Sequence, residues 1–207
     1  MNIAIFASGN GSNAEAILRA QKEGKLSAKI GLVVTNKTDA GVIQKAVAYN
    51  TPHIVLNRKI FSNEIEYISS LINTLDEHKI DFIALAGFME LIPSKLVEKF
   101  RNRITNIHPA LLPSFGGKGY YGHKVHQAVL DAGCRVSGVT VHIVDEEYDR
   151  GPIISQVSVP VTDGDNADSL AARILIEEHK IYPKTLQLFA EEKIKVSNGK
   201  VTISAAV

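Results

Sequence analysis

The sequence predicts an α/β fold: a Rossmann-like, mostly parallel sheet with helices on both faces and antiparallel strands added at one edge. Two observations carry this. Through the first half, short strands that are apolar throughout alternate with helix-like segments, and such strands need cover on both faces, as parallel sheets provide. In the second half the strand-like runs lengthen and partly alternate in polarity, as antiparallel strands with one wetter face do.

The elements follow in order. "NIAIFAS" (2–8) is a short apolar run ending in Gly and Asn, and "SNAEAILRAQKEG" (12–24) reads as a helix capped by Ser or Asn and stopped by Gly24. "KIGLVVTN" (29–36) is the second strand and "DAGVIQKAVAYN" (39–50) the second helix. "HIVL" precedes a long helix within 61–79, after which come strand "DFIALAG" (81–87), short helix "SKLVEKF" (94–100) and strand "RITNIHP" (103–109). "RVSGVTVHIVD" (135–145) and "PIISQVSVPV" (152–161) are the antiparallel additions. A helical region at 166–192 is interrupted by Pro183, and "KVSNGKVTIS" is a hairpin signalled by Asn-Gly. No linker, repeat or low-complexity segment intervenes, so one domain over 1–207 is expected.

Composition narrows the function. The 207 residues are 45% hydrophobic and 22% charged, ordinary for a globular protein with a sizeable core. The net charge is +1 with no Lys/Arg run, which argues against a nucleic-acid groove or a membrane patch. A single cysteine, Cys134, excludes an internal disulfide and a multi-cysteine metal site. The start "MNIAIFASGN" lacks the basic region and cleavage site of a signal peptide, and no apolar stretch would span a bilayer; a cytoplasmic protein is expected.

Three stretches could carry chemistry. "SGNGSN" (8–13) joins the first strand to the first helix, where glycines permit a tight turn and a helix N-terminus offers N–H groups to an anion. Gly9, Gly11 and Ala14 fit only the looser dinucleotide pattern, and no acid ends the second strand to hold a ribose. A monophosphate site, with Ser12 and Asn13 as added donors, is therefore more economical than NAD; an ordinary βα turn is the plainer alternative. In "NIHPALLPSF" (106–115), Asn106 and His108 are two apart on an extended strand, so both point to one side. They stand at the carboxyl end of a parallel strand, where open α/β sheets bind ligands. An amide N–H and an imidazolium N–H aimed together suit a developing oxyanion, while a capped strand end with a hydrogen-bonded core histidine fits the same spacing.

The third stretch is "DEEYDRGPII" (145–154). Most of Asp145, Glu146, Glu147 and Asp149 are expected to be solvated, but the turn at Gly151-Pro152 could aim Asp149 inward. A carboxylate there would raise the pKa of a nearby imidazole and keep it protonated near neutrality. The chain has no nucleophile elbow and no zinc-binding His pair, so Ser-His-Asp hydrolysis is not expected. On the helix after Asp168, Leu170, Ile174, Glu178 and Ile181 form one stripe; a carboxylate there needs an ion pair, a hydrogen bond or a ligand.

"FASGNGSN", "LAGFM", "NIHPALLPSFGGKG", "GVTVHIVDEEYDRGPII" and "EEHKIYP" occur in this order, and together they closely resemble the glycinamide ribonucleotide formyltransferases, folate-dependent enzymes of purine biosynthesis. The resemblance covers essentially the whole chain. It implies attack by the amine of glycinamide ribonucleotide on the formyl carbon of 10-formyltetrahydrofolate, a co-substrate, with no metal. Carried onto this sequence, it gives Asn106 and His108 the tetrahedral intermediate's oxygen and Asp149 the charge on His108 and proton transfer through water. Gly11, Ser12 and Asn13 would take the substrate phosphate and Glu178 its ribose hydroxyls. Met89, Glu90, Leu91, Ile92, Asp145, Glu146, Glu147, Tyr148 and Asp149, with Asn106, would line the folate pocket. A nucleotide-binding half over about 1–100 and a folate and catalytic half over about 101–207 follow from the same likeness.

Two positions depart from it. Glu90 and Glu64 stand where arginine is common in relatives, near the expected path of the folate's glutamate tail. This leaves recognition of that tail open; Lys118 in the Gly-rich loop could compensate, although a solvated lysine is the plainer reading. The nearest rival is formyltetrahydrofolate deformylase, which carries an amino-terminal regulatory domain not expected here. Methionyl-tRNA formyltransferase would need a further RNA-binding domain and more positive charge, and a non-catalytic nucleotide-binding module would leave Asn106, His108 and Asp149 without a task. Only small-molecule substrates are expected as partners, without nucleic acid or membrane, in a monomer or homodimer.

Overall fold

Apolar β-branched runs punctuated by Gly, Asn and Asp fold as the alternation requires. The computed structural model describes residues 1–204, in two compact units, Met1–Thr105 and the described residues from Asn106 onward. The first unit contains β1 (Asn2–Phe6), α1 (Ser12–Lys22), β2 (Lys29–Thr35), α2 (Val42–Ala48), β3 (His53–Val55), α3 (Glu64–Glu77), β4 (Phe82–Leu85) and α4 (Ser94–Lys99). Strand β5 (Ile104–His108) carries the boundary. The second unit continues with α5 (His123–Asp131), β6 (Val136–Ile143), β7 (Ile153–Pro160), α6 (Ala167–Ala190), β8 (Ile194–Ser197) and β9 (Lys200–Ile203).

The main sheet runs β3-β2-β1-β4-β5-β6-β7, and β8-β9 form a separate two-stranded sheet. β1 pairs in parallel with both β2 and β4, so the strand order reverses direction at β1. Right-handed crossovers then put α1 and α2 on one face of the first unit's strands and α3 on the other. A reversal of this kind opens a crevice at the carboxyl ends of the strands. Ile3, Ala4, Ile5 and Phe6 of β1 are wholly buried, as a strand covered on both faces must be. α3 is capped by Asn63, whose side chain accepts from the Glu66 N–H.

In the second unit β7 runs antiparallel to β6 and ends the sheet, with Ile154 and Val159 buried and Ile153 exposed. The register slips between Val141 and His142, a bulge that re-aims the end of β6. One element was not predicted and one expectation needs correction. Helix α5 lies between the Gly-rich stretch and Gly133, with Val125 and Val129 burying one face. Pro183 does not interrupt the last helix: α6 is continuous from Ala167 to Ala190. Proline removes one helical N–H, yet Ile181, Tyr182 and Leu186 around it are buried, and that packing holds the turn together. The terminal hairpin turns at Asn198 and Gly199, both with positive φ as a type I′ turn requires.

Candidate active site

In the second unit β5 delivers Asn106 and His108, and the loop after β6 delivers Asp149. Asn106 Nδ2 donates to Asp149 Oδ1 at 3.3 Å, and His108 Nδ1 lies 3.5 Å from Asp149 Oδ2. The three residues predicted to act together do meet. His108 is 4% exposed, so its surroundings rather than water set its behaviour. Its Nε2 lies 2.8 Å from the Phe115 carbonyl, which can only accept, so Nε2 carries the proton and Nδ1 is the atom that titrates.

Two strained residues hold this geometry. Phe115 and Asp149 have φ of 54° and 55°, a region costing an L-residue about 1–2 kcal/mol. The first aims its carbonyl at His108, and the second turns its carboxylate inward. Gly117 N–H donates to Asp149 Oδ2 at 2.9 Å. Gly116 permits that approach, since a Cβ there would collide with Leu112 and crowd Asp149. Beneath the loop, Thr140 Oγ1 donates to the Ala110 carbonyl at 2.7 Å and accepts from Leu112 N–H at 3.0 Å. Gln156 Nε2 adds bonds to Thr140 Oγ1 and to the Leu112 carbonyl.

The electrostatics correct one expectation. Burial is the largest influence on His108 and holds its pKa below the ordinary imidazole value. Asp149 and the Phe115 carbonyl oppose this and His142 reinforces it, so the ring is predominantly neutral at pH 7 rather than protonated. Burial also raises Asp149, but His142, His108 and the Gly117 N–H together hold its carboxyl below the usual value, and it is ionised.

A residue the sequence reading missed completes the cluster. His142 is 2% exposed; its Nε2 lies 3.1 Å from Asn106 Nδ2 and 3.5 Å from Asp149 Oδ1. The available signal was an imidazole inside "GVTVHI", a run buried on both faces, where a polar ring must find partners.

Gly11, Ser12 and Asn13 lie in the first unit. Gly11 caps α1 with φ 75° and supplies no side-chain acceptor to the first-turn N–H groups. A Cβ on Gly11 would stand 2.7 Å from Val42, so glycine is required for space as well as backbone angle. Asn13 is buried and Ser12 half-buried. In the same unit Met89 and Leu91 are exposed, Ile92 is buried, and Met89 N–H donates to Ser8 Oγ at 3.0 Å. Glu90 accepts from Asn36 Nδ2 at 2.7 Å, and Glu64 pairs with Arg58 at 2.8 Å. In the second unit Glu146, Glu147, Tyr148 and Lys118 are exposed, and Asp145 accepts from Glu147 N–H at 3.0 Å. Glu178 is 7% exposed on α6, on a buried stripe with Leu170, Ile174 and Ile181. Among the described residues no group of three or more His, Cys, Asp and Glu is placed to hold a metal, and no helix is long and apolar enough to cross a membrane.

The sequence profile of one family, formyl transferase, matches residues 1–186. The chain belongs to the formyl transferase family. Among formyl transferases, it is 45% identical to the chloroplastic phosphoribosylglycinamide formyltransferase of Vigna unguiculata, over 93% of this chain and 62% of that one. It thus spans less than two thirds of the length of that plant relative. It is 40% identical to the phosphoribosylglycinamide formyltransferase of Bacillus subtilis (strain 168), over 89% of this chain and 92% of that one. The crystal structure of glycinamide ribonucleotide transformylase 1 from Symbiobacterium toebii superposes with a TM-score of 0.93 at 34% identity, covering 99% of this chain and 94% of that one. The α/β architecture is that of this formyl transferase.

Proposed function

We propose that the protein transfers the formyl group of 10-formyltetrahydrofolate to the amine of glycinamide ribonucleotide. The observation that carries the proposal is the buried meeting of Asn106, His108 and Asp149. As the amine attacks the formyl carbon, a carbon–nitrogen bond forms and negative charge gathers on the formyl oxygen. Beforehand, burial keeps His108 neutral. The developing oxyanion adds a second negative charge to that of Asp149, so Nδ1 can take up the proton the amine loses and pass it on. Donors already aimed at developing charge are among the largest contributions to catalysis. The bond to the folate nitrogen then breaks. Over the whole reaction the amine loses one proton and the leaving nitrogen gains one, with ionised Asp149 relaying it through water.

The remaining assignments belong to the same proposal. Gly11, Ser12 and Asn13 receive the phosphate at the start of α1, where Gly11 brings no side-chain acceptor, and Glu178 accepts from the ribose hydroxyls. Met89 to Ile92, Asn106 and Asp145 to Asp149 contact the folate. The nucleotide-binding role falls to the chain up to about residue 100 and the catalytic role to the rest. The substrates are small molecules, no nucleic acid or membrane takes part, no metal is required, and the protein acts in the cytoplasm as a monomer or homodimer.

An assay with the purified chain tests this. Formyl transfer from 10-formyltetrahydrofolate should require glycinamide ribonucleotide. Release of formate at the same rate without the ribonucleotide would overturn the proposal in favour of a deformylase.

A further inference from the structure

We infer that His142 is a positioning residue for formyl transfer: the lone pair on its Nε2 fixes which way the Asn106 amide faces. The kinetic part of this inference rests on the proposed reaction; the geometric part does not. His142 Nδ1 lies 2.8 Å from the Ile143 carbonyl, an acceptor only, so Nδ1 carries the hydrogen. In the neutral ring Nε2 is then a bare lone pair, 3.1 Å from Asn106 Nδ2, which donates to it; a protonated ring would instead turn an Nε2 hydrogen to Asp149 Oδ1 at 3.5 Å. Rotating the amide by half a turn would set its oxygen against two acceptors, His142 Nε2 and Asp149 Oδ1. The orientation is fixed from both sides.

The two anchors differ in kind. Asp149 sits on a loop, whereas His142 belongs to β6, is 2% exposed, and is turned by the bulge at Val141/His142. The amide nitrogen has two hydrogens. With one held by His142, the other can leave Asp149 for a developing oxyanion without the group losing its orientation. Holding a donor in place before charge develops is what makes it effective. Without the Nε2 lone pair, Asn106 would be held by the loop alone.

Replacement of His142 by residues with different acceptors tests the inference. Gln places its amide oxygen near the position of Nε2, Asn places its own near Nδ1, and Leu offers no acceptor. His142→Leu and His142→Asn should lower kcat at least about tenfold with KM for the ribonucleotide nearly unchanged, and His142→Gln should recover most of the loss. If the Leu variant does not fold, the Asn and Gln pair carries the comparison. In an Asn106→Ala background the same replacements should change kcat less than about twofold, because the effect passes through the amide. Equal losses in all three variants, or losses that persist without Asn106, would overturn the inference and leave His142 a packing residue. Imidazole nitrogen NMR gives a readout independent of activity. A ring protonated on Nδ1 and bare on Nε2 is expected, and the opposite tautomer would overturn the inference even in a fully active enzyme. An inactive wild-type chain with the expected tautomer would instead count against the proposed reaction.

Discussion

Asp149 reaches His108 and Asn106 with different oxygens: Oδ2 stands 3.5 Å from His108 Nδ1, and Oδ1 accepts from Asn106 Nδ2 at 3.3 Å. One carboxylate therefore orients the amide and sets the charge preference of the imidazole. The two effects separate on substitution. Asp149→Asn keeps the size but removes the charge that raises His108. The His108 pKa, already below its ordinary value because of burial, should fall further. NMR titration of His108 in both proteins checks this, and an unmoved midpoint would exclude electrostatic contact between the pair. Turnover should fall roughly 10²-fold or more, because a proton on Nδ1 no longer has its partner.

Ser12→Asp tests the phosphate assignment in the first unit. The variant places a carboxylate on the first turn of α1, where Gly11 caps the helix without a side-chain acceptor. A negative charge at a helix N-terminus is tolerated or mildly stabilising, so the fold should not suffer. A phosphate approaching the same turn would be repelled. Calorimetry should show weaker ribonucleotide binding and nearly unchanged folate binding; equal loss of both would point to a general defect instead.

Much of this was legible in the sequence because it depends on local rules. Strand β1, helix α1 and the Asn-Gly hairpin follow from apolar runs, caps and turn residues that act over a few positions. The convergence of Asn106 and His108 needed only the period of a strand. What escaped was set by tertiary packing. Pro183 reads as a helix stop until its buried neighbours are known, and α5 has no strong cap to announce it. The expected charge on His108 failed for a related reason. Spacing shows that a carboxylate is near, but only the fold shows that desolvation outweighs it. His142 was passed over because its partners come from β5 and from the loop after β6, and no motif written along the chain joins them.

Thr140→Val should reveal how the catalytic loop is supported. Thr140 is wholly buried, and its hydroxyl joins the Ala110 carbonyl, the Leu112 N–H and Gln156 Nε2. Valine matches the shape but leaves a buried carbonyl and a buried N–H with a partner missing. Each such group costs about 1–3 kcal/mol, so a loss of roughly 2–4 kcal/mol is expected in urea unfolding. A loss well below 1 kcal/mol would mean that the loop finds other partners. Turnover should fall as well, since this loop carries Phe115 and its bond to His108.

The last prediction concerns acid stability and His126. This ring on α5 is 5% exposed, and its Nδ1 has no hydrogen-bond partner among the described residues. Its pKa is lowered from 6.5 to about 4, chiefly by burial, with the charges of His123 and His108 adding to the effect. In the unfolded chain the ring takes up a proton as the pH drops past its ordinary value, while the folded chain resists until about pH 4. Between those limits the unfolded state binds more protons, so stability falls as the pH falls and levels off below the folded value. A shift from 6.5 to about 4 corresponds to roughly 3 kcal/mol over that window. His108, also lowered, gives a loss of the same sign in this window, so the wild-type slope should exceed that of one group, and Asp149, held below its usual value, adds a further loss only at still lower pH. Substituting His126→Gln separates them. Gln cannot take up a proton, so the variant should lose roughly 3 kcal/mol less than the wild type between pH 7 and pH 4, whatever its stability at neutrality. Urea unfolding at a series of pH values checks this. Parallel stability curves for the two proteins would show that His126 titrates alike in both states and is not a source of acid sensitivity.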